Sequence, residues 1–274
     1  MKTLTLFLVL LISVCCHVEA QVVCQVPMGR NACRPCAGLN SLIQAKNVRI
    51  LDSLAGDSGL DKSRSFALHF GASDSSIFGI HRTAYSDEHG TADADLSLMV
   101  NRLFQNSATP GVASNYLVRE AGETPSDFVM RVQSTFDASI RAGFHPLLSL
   151  RAVAAQYDKA SESNAWNSMG GHWVAVHGVD AASDDGLSFV IHFSDSLTGE
   201  MQTGFVYFNK HRRAKVPMQF TVNSEGREDW NWVSITDALT LVAPGMPLGT
   251  RRAQWNERAF ITLRYAIFQD AKSR

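Results

Sequence analysis

The sequence predicts an α+β fold, with helices in the first half and antiparallel strands in the second. Two observations carry this. Apolar residues up to Ile140 recur mainly at helical spacing, whereas from Pro146 onward short apolar runs alternate with turn residues. The two patterns follow one another instead of interleaving, which separates α+β from α/β. No internal repeat, low-complexity tract or long Pro/Gly/Ser linker breaks the chain. One domain is therefore expected over residues 21–274, with residues 200–274 as its strand-rich C-terminal extension.

Residues 1–20 read as an export signal. Met1-Lys2 gives a positive start, Leu4 to Cys16 is almost unbroken apolar sequence, and Val18-Glu19-Ala20 ends in a small residue suited to cleavage. The run is shorter than the roughly 20 residues a bilayer span requires, and no second run follows, so no membrane span is expected in the mature chain. The expected location is secreted or periplasmic.

Pro35 suits the first turn of a helix, and Leu39, Leu42 and Ile43 follow along one face. Residues 93–106 form a second helix on the stripe Leu96, Met99, Val100, Leu103 and Phe104. A third has the clearest start: Thr124 as cap, Pro125 as first helical residue and Asp127 completing a capping box. Phe128, Val132, Phe136 and Ile140 then recur every fourth residue until Gly143. Pro146 to Leu150 reads as a buried strand. Gln156 to Gly171 is polar and rich in turn residues, as in an exposed loop that could serve as a lid carrying Trp166. Trp173–Val176 and Leu187–Ile191 read as a hairpin, and 203–209, 217–223 and 259–268 as further strands.

The 274-residue chain has a net charge of -1, which gives no reason to expect nucleic acid as a partner. The basic stretch Lys210 to Lys215 is short and reads as a solvated loop.

The hairpin carries the first chemical signal. Regular pairing about a loop centred between Ser183 and Asp184 sets His172 opposite Asp195. Opposed residues on antiparallel strands have Cβ atoms about 4.5–5.5 Å apart, close enough for an imidazole–carboxylate hydrogen bond. Asp195 would fix the ring's tautomer and stabilise its cation. In the same register His177 faces Val190 and His192 faces Ala175; with no acid opposite, both read as structural.

Cys24, Cys33 and Cys36 remain after the signal. An odd number in an exported protein leaves one thiol unpaired, a hint of a nucleophile. Cys33 and Cys36 lie at the start of the Leu39 helix, where the helix N-terminus and a nearby imidazolium would favour a thiolate. A redox pair or half a zinc site is the alternative use of Cys-x-x-Cys. There is no second such motif and no thioredoxin-like βαβ pattern, so neither metal nor cofactor is expected.

Two segments then resemble the papain-like cysteine peptidases, most closely their C39-like bacterial branch. They are Cys33-Arg34-Pro35-Cys36-Ala37-Gly38-Leu39 and Gly170-Gly171-His172-Trp173-Val174-Ala175-Val176-His177-Gly178. Ala142-Gly143-Phe144-His145-Pro146 and Ser194-Asp195-Ser196-Leu197-Thr198-Gly199 fall in the branch's order. His172 also follows Cys36 at the separation of roughly 130–150 residues seen in papain-type enzymes. The resemblance covers about residues 30–44 and 124–200. It implies a papain-like fold, with a helical part carrying the nucleophile packed on an antiparallel sheet carrying His and Asp. The papain-style register makes Cys36 the nucleophile and Cys24–Cys33 a disulfide; the C39-style register makes Cys33 the nucleophile and leaves Cys24–Cys36. The family's oxyanion glutamine lies six residues before the nucleophile, where this chain has Arg30 for Cys36 or Pro27 for Cys33. Gln25, brought in by a bulge, or Asn31 would have to substitute.

Three functions are compatible with these residues. Leading is a thiol hydrolase that cleaves a peptide or isopeptide bond of a peptide or protein substrate. Cys36 attacks, with Cys33 as the alternative nucleophile, His172 serves as base and then acid, and Asp195 orients His172. The others are a glutamine deamidase or amide transferase using the same triad, and a papain-like binding module without full activity.

Overall fold

The computed structural model describes residues 21–29, 31–158, 163–209, 215–223, 227–234, 237–246 and 259–269. The signal-peptide reading of residues 1–20 lies outside the described residues, as do Lys210 to Ala214 of the basic stretch.

The helical part comes first. Helix α1 (Cys33–Gln44) follows a single 3-10 turn at Val26–Met28, and Pro35 lies in its first turn as expected. A short α2 (Val48–Asp52) leads to α3 (Gly59–Gly71), which opens on a full capping box between Ser58 and Asp61. Two small hairpins follow: β1 (Asp74–Ser75) with β2 (Gly79–Thr83), and β3 (Tyr85–Ser86) with β4 (Gly90–Thr91). Helix α4 (Asp93–Asn106) buries the stripe read from the sequence. Strand β5 (Ala113–Tyr116) then precedes α5 (Pro125–Arg141).

In α5 the Thr124 side chain accepts from the Asp127 backbone N–H while Asp127 reaches back to Thr124, so two first-turn donors are satisfied reciprocally. Its buried face is Phe128, Val129, Val132 and Phe136. Each such side chain gains about 1.5–3 kcal/mol on leaving water. Truncating Thr124 to Ala is expected to cost about 1 kcal/mol, read as a lower urea midpoint at unchanged slope.

The strands are β6 (Leu147–Asp158), β7 (Ser163–Val179), β8 (Ser188–Asp195), β9 (Glu200–Phe208), β10 (Lys215–Val222), β11 (Glu228–Ser234), β12 (Leu239–Val242) and β13 (Ala259–Phe268). Six of them close on themselves in the order β12-β9-β8-β7-β6-β13, and β13 returns to β12 through Thr240↔Thr262 and Leu241↔Ile261. Beyond that contact, β5 continues along the same edge of β13 from Tyr265↔Tyr116 to Phe268↔Ala113. This closure corrects the papain-like arrangement of a helical part packed on an antiparallel sheet: the sheet is a barrel with helices against it. Within residues 200–274, β9, β12 and β13 are staves of the barrel.

A second correction concerns Gln156 to Gly171. Instead of an exposed loop, β6 and β7 run on as one long hairpin, paired out to Asp158↔Ser163, with Trp166 opposite Ala155 on its arm. β10 and β11 pair as a separate hairpin.

Alternation along the strands builds two cores. Leu147, Trp173, Ala175, Tyr265 and Ile267 face α1, α3 and α4, packing with Leu39, Phe66, Met99 and Phe104. Leu148, Val174, Phe193, Val206, Leu241 and Leu263 face the other way and share their core with the apolar face of α5. Among the described residues no helix is long and apolar enough to cross a membrane.

Candidate active site

His172 and Asp195 project from neighbouring strands where β8 ends and the long β6/β7 arm continues past it. The pairing is Val174↔Asp195, two residues away from the regular register, with a bulge at Val176/Gly178 on the turn side. A slip of two keeps both side chains on one face. His172 Nε2 lies 2.6 Å from Asp195 Oδ1, both residues are buried, and the Leu197 backbone N–H donates to the same oxygen at 2.8 Å. With Nε2 engaged, Nδ1 is the ring nitrogen left for a thiol.

That thiol is Cys33. It is the first residue of α1, where the His172 side chain and the Trp173 backbone amide act to favour its thiolate. Burial alone would push its pKa up. The His172 hydrogen bond and charge, the Arg34 charge and the Trp173 amide outweigh burial and hold Cys33 below the ordinary thiol value. The imidazole moves the opposite way. Burial would depress it, but its hydrogen bonds to Asp195 and Cys33 raise it to about 9. Each group thus favours the charged form of the other, with Asp195 adding to the shift of His172 and Arg34 to that of Cys33.

Cys36 is placed elsewhere. One turn further along α1 it is fully buried, and its thiol donates to Met28 Sδ at 3.6 Å. Burial and the charges of Cys33 and Cys24 push it up to about 12. The structure therefore brings Cys33, and not Cys36, to His172. All three cysteines are free thiols, so the Cys24–Cys33 disulfide implied by the papain-style register is not formed. Cys33 is engaged by His172, and Cys24 packs against Gly199 in the turn after β8.

Of the two oxyanion substitutes, Asn31 is committed to other work: its side-chain amide donates to the carbonyls of Asp87 and Glu88 at 2.9 and 2.7 Å, holding the β3–β4 hairpin beside α1. Gln25 is buried at the site's edge. Its backbone N–H donates to the Ser196 carbonyl at 2.7 Å, and its Oε1 accepts from Ser196 Oγ at 2.9 Å. The 3-10 turn and Gly29, at φ 109°, take up the extra chain between Gln25 and Cys33.

Sequence reasoning missed the ion network beneath Cys33. Asp93 at the start of α4 accepts from Arg34 at 3.0 Å and, through its other oxygen, from Arg264 of β13. Arg34 also stacks on the Trp173 ring with its guanidinium carbon 5.6 Å from the centroid. Arg264, a charge in an otherwise apolar strand, was the available signal, because such a residue is buried only with a partner.

His177 and His192 lie away from this centre. His192 pairs with Gly178, and its Nε2 is 3.2 Å from Asp180 Oδ1, so it does have an acid partner, contrary to the regular register. Among the described residues no cluster of three His, Cys, Asp or Glu side chains is spaced to hold a metal ion. Compared with known proteins, the chain matches no family model, no curated protein and no solved structure.

Proposed function

We propose that the protein is a thiol hydrolase acting on a peptide or isopeptide bond, with Cys33, rather than Cys36, as nucleophile. The observation that supports it most is the continuous chain Cys33–His172–Asp195, in which the thiol is depressed and the imidazole raised. The Cys33 thiolate adds to the amide carbonyl, and the carbonyl electrons move to oxygen. As they return, the C–N bond breaks, and the imidazolium at Nδ1 protonates the departing amine. The thioester left on Cys33 is then attacked by a water whose proton passes to the neutral His172, releasing the acid and restoring the thiol pair. Asp195 holds the ring through Nε2 and stabilises its charge.

Donors for the transient oxyanion come from the start of α1. The first-turn N–H groups of α1 have no acceptor within the helix, and Cys33 carries one of them. Gln25 lies at the edge of the site, its side-chain oxygen accepting from Ser196 Oγ, and is the glutamine nearest to it in sequence.

Three measurements test this reading. Iodoacetamide at neutral pH should modify one thiol, Cys33. A panel of peptide and isopeptide substrates should show amine release; ammonia release without chain cleavage would assign the triad to a glutamine side chain instead. The pH profile of kcat/KM should be a bell. It rises as Cys33 ionises, below the usual thiol range, and falls as His172 loses its proton near 9. A profile rising through the ordinary thiol value, with no upper limb, would show that the pair does not act as one.

A further inference from the structure

The two cysteines of α1 are matched to one another as well as to the site. Cys33 and Cys36 lie three residues apart in the first turn of one helix, with Pro35 between them. Helical geometry sets their Cα atoms about 5 Å apart, inside the range of about 4.4–6.8 Å that a disulfide spans. One thiol is activated by His172 and the other is kept protonated by burial. Neither is bonded to Cys24, which sits on the turn after β8.

We propose that Cys33 and Cys36 form a reversible redox pair: a hydroperoxide oxidises Cys33, and Cys36 resolves it to an intrahelical disulfide that a dithiol reductant reopens. The Cys33 thiolate attacks the distal peroxide oxygen, the O–O bond breaks, and the departing alkoxide or hydroxide takes a proton, leaving a sulfenic acid. The Cys36 sulfur then attacks the Cys33 sulfur and gives up its proton, and hydroxide leaves as water. Two thiols and one hydroperoxide thus give one disulfide, one alcohol or water, and one further water. The pairing is timed by charge. Cys36 is held protonated partly by the negative charge on Cys33, and oxidation to the neutral sulfenic acid removes that charge just when Cys36 must ionise.

The pair goes beyond hydrolysis and requires no turnover of an amide, though it uses the same Cys33 thiolate. It would store the nucleophile in a recoverable form, because a sulfenic acid that is not trapped proceeds to irreversible acids.

Peptide mapping after equimolar hydrogen peroxide tests it on the full chain. Trypsin does not cut between Arg34 and Pro35, so Cys33 and Cys36 stay in one peptide, from Asn31 to Lys46, while Cys24 falls in another. The expected product is that single peptide lighter by a pair of hydrogens, with iodoacetamide labelling of Cys33 lost and then restored by dithiothreitol. Cys24→Ser should leave the result unchanged. Dimedone-trapped sulfenic acid persisting on wild-type Cys33, a cross-link to the Cys24 peptide, or no oxidation of Cys33 would overturn the proposal. Protein that forms the bond yet cleaves no amide removes the hydrolase reading alone; protein that cleaves amides but stops at the sulfenic acid removes this one alone.

Discussion

Replacing Cys33 by Ala should lower kcat/KM for an amide substrate by about 10⁴-fold or more, whereas Cys36→Ala should change it by less than about tenfold. The contrast follows from what each sulfur touches. Cys33 meets an imidazole that is itself anchored by a buried carboxylate, so its removal deletes the bond-forming atom and leaves only binding and oxyanion donors. Cys36 meets a methionine sulfur in the core beneath, and its loss is a packing change. Urea unfolding of both variants separates the two effects: Cys33→Ala should remain folded and inactive, Cys36→Ala slightly less stable and active. The reverse ranking of activities would return the nucleophile to Cys36 and leave the Cys33–His172 contact without a catalytic role.

The largest loss of stability is expected from Asp93→Ala, about 3–5 kcal/mol by chemical denaturation. Asp93 and Arg264 are both buried, and Arg34 shares the same carboxylate from the helix that carries Cys33. Removing the carboxylate leaves cations inside the protein without their counter-ion, which costs more than the intact network contributes. Set against a total stability of about 5–15 kcal/mol for a domain, that loss is severe. Burial would raise the Asp93 carboxyl, but Arg264, Arg34 and Arg151 outweigh it and hold it below its usual range. A carboxyl depressed on folding contributes stability that is present above its unfolded pKa and lost as pH falls through the folded one. Acid unfolding of the wild type should therefore show a component that Asp93→Ala lacks. An Asp93→Ala protein as stable as wild type would mean that the two arginines reach water or another acid.

How much of this was legible in the sequence depends on how local the cause is. The Thr124–Asp127 box and the α5 stripe are local and were readable; the matching Ser58–Asp61 box of α3 carries the same signal, with Phe66 and Phe70 behind it, and went unread. His172 and Asp195 were legible as a pair because the hairpin slipped by two residues, which preserves the face, while the bulge at Val176/Gly178 left no mark in composition. Barrel closure was not legible. It depends on Thr240 and Leu241 meeting Thr262 and Ile261, a contact no periodicity encodes. The spacing that favours Cys36 over Cys33 is blind to their placement for a similar reason, since helix phase sets one at the strand ends and the other in the core only once α1 is docked on β7.

The last described strand has a consequence for when the barrel can close. β13 joins β6 to β12, extends along β5, and brings Arg264 to Asp93. During synthesis Cys33 emerges early, but closure of the barrel and the Arg264 partner of Asp93 wait for residues 259–268. A chain released before that point would leave β6 and β12 as open edges and Asp93 without Arg264. Truncated products should therefore be prone to aggregation through those open edges. The strand that removes the sheet's free edges is the one furthest along the described sequence.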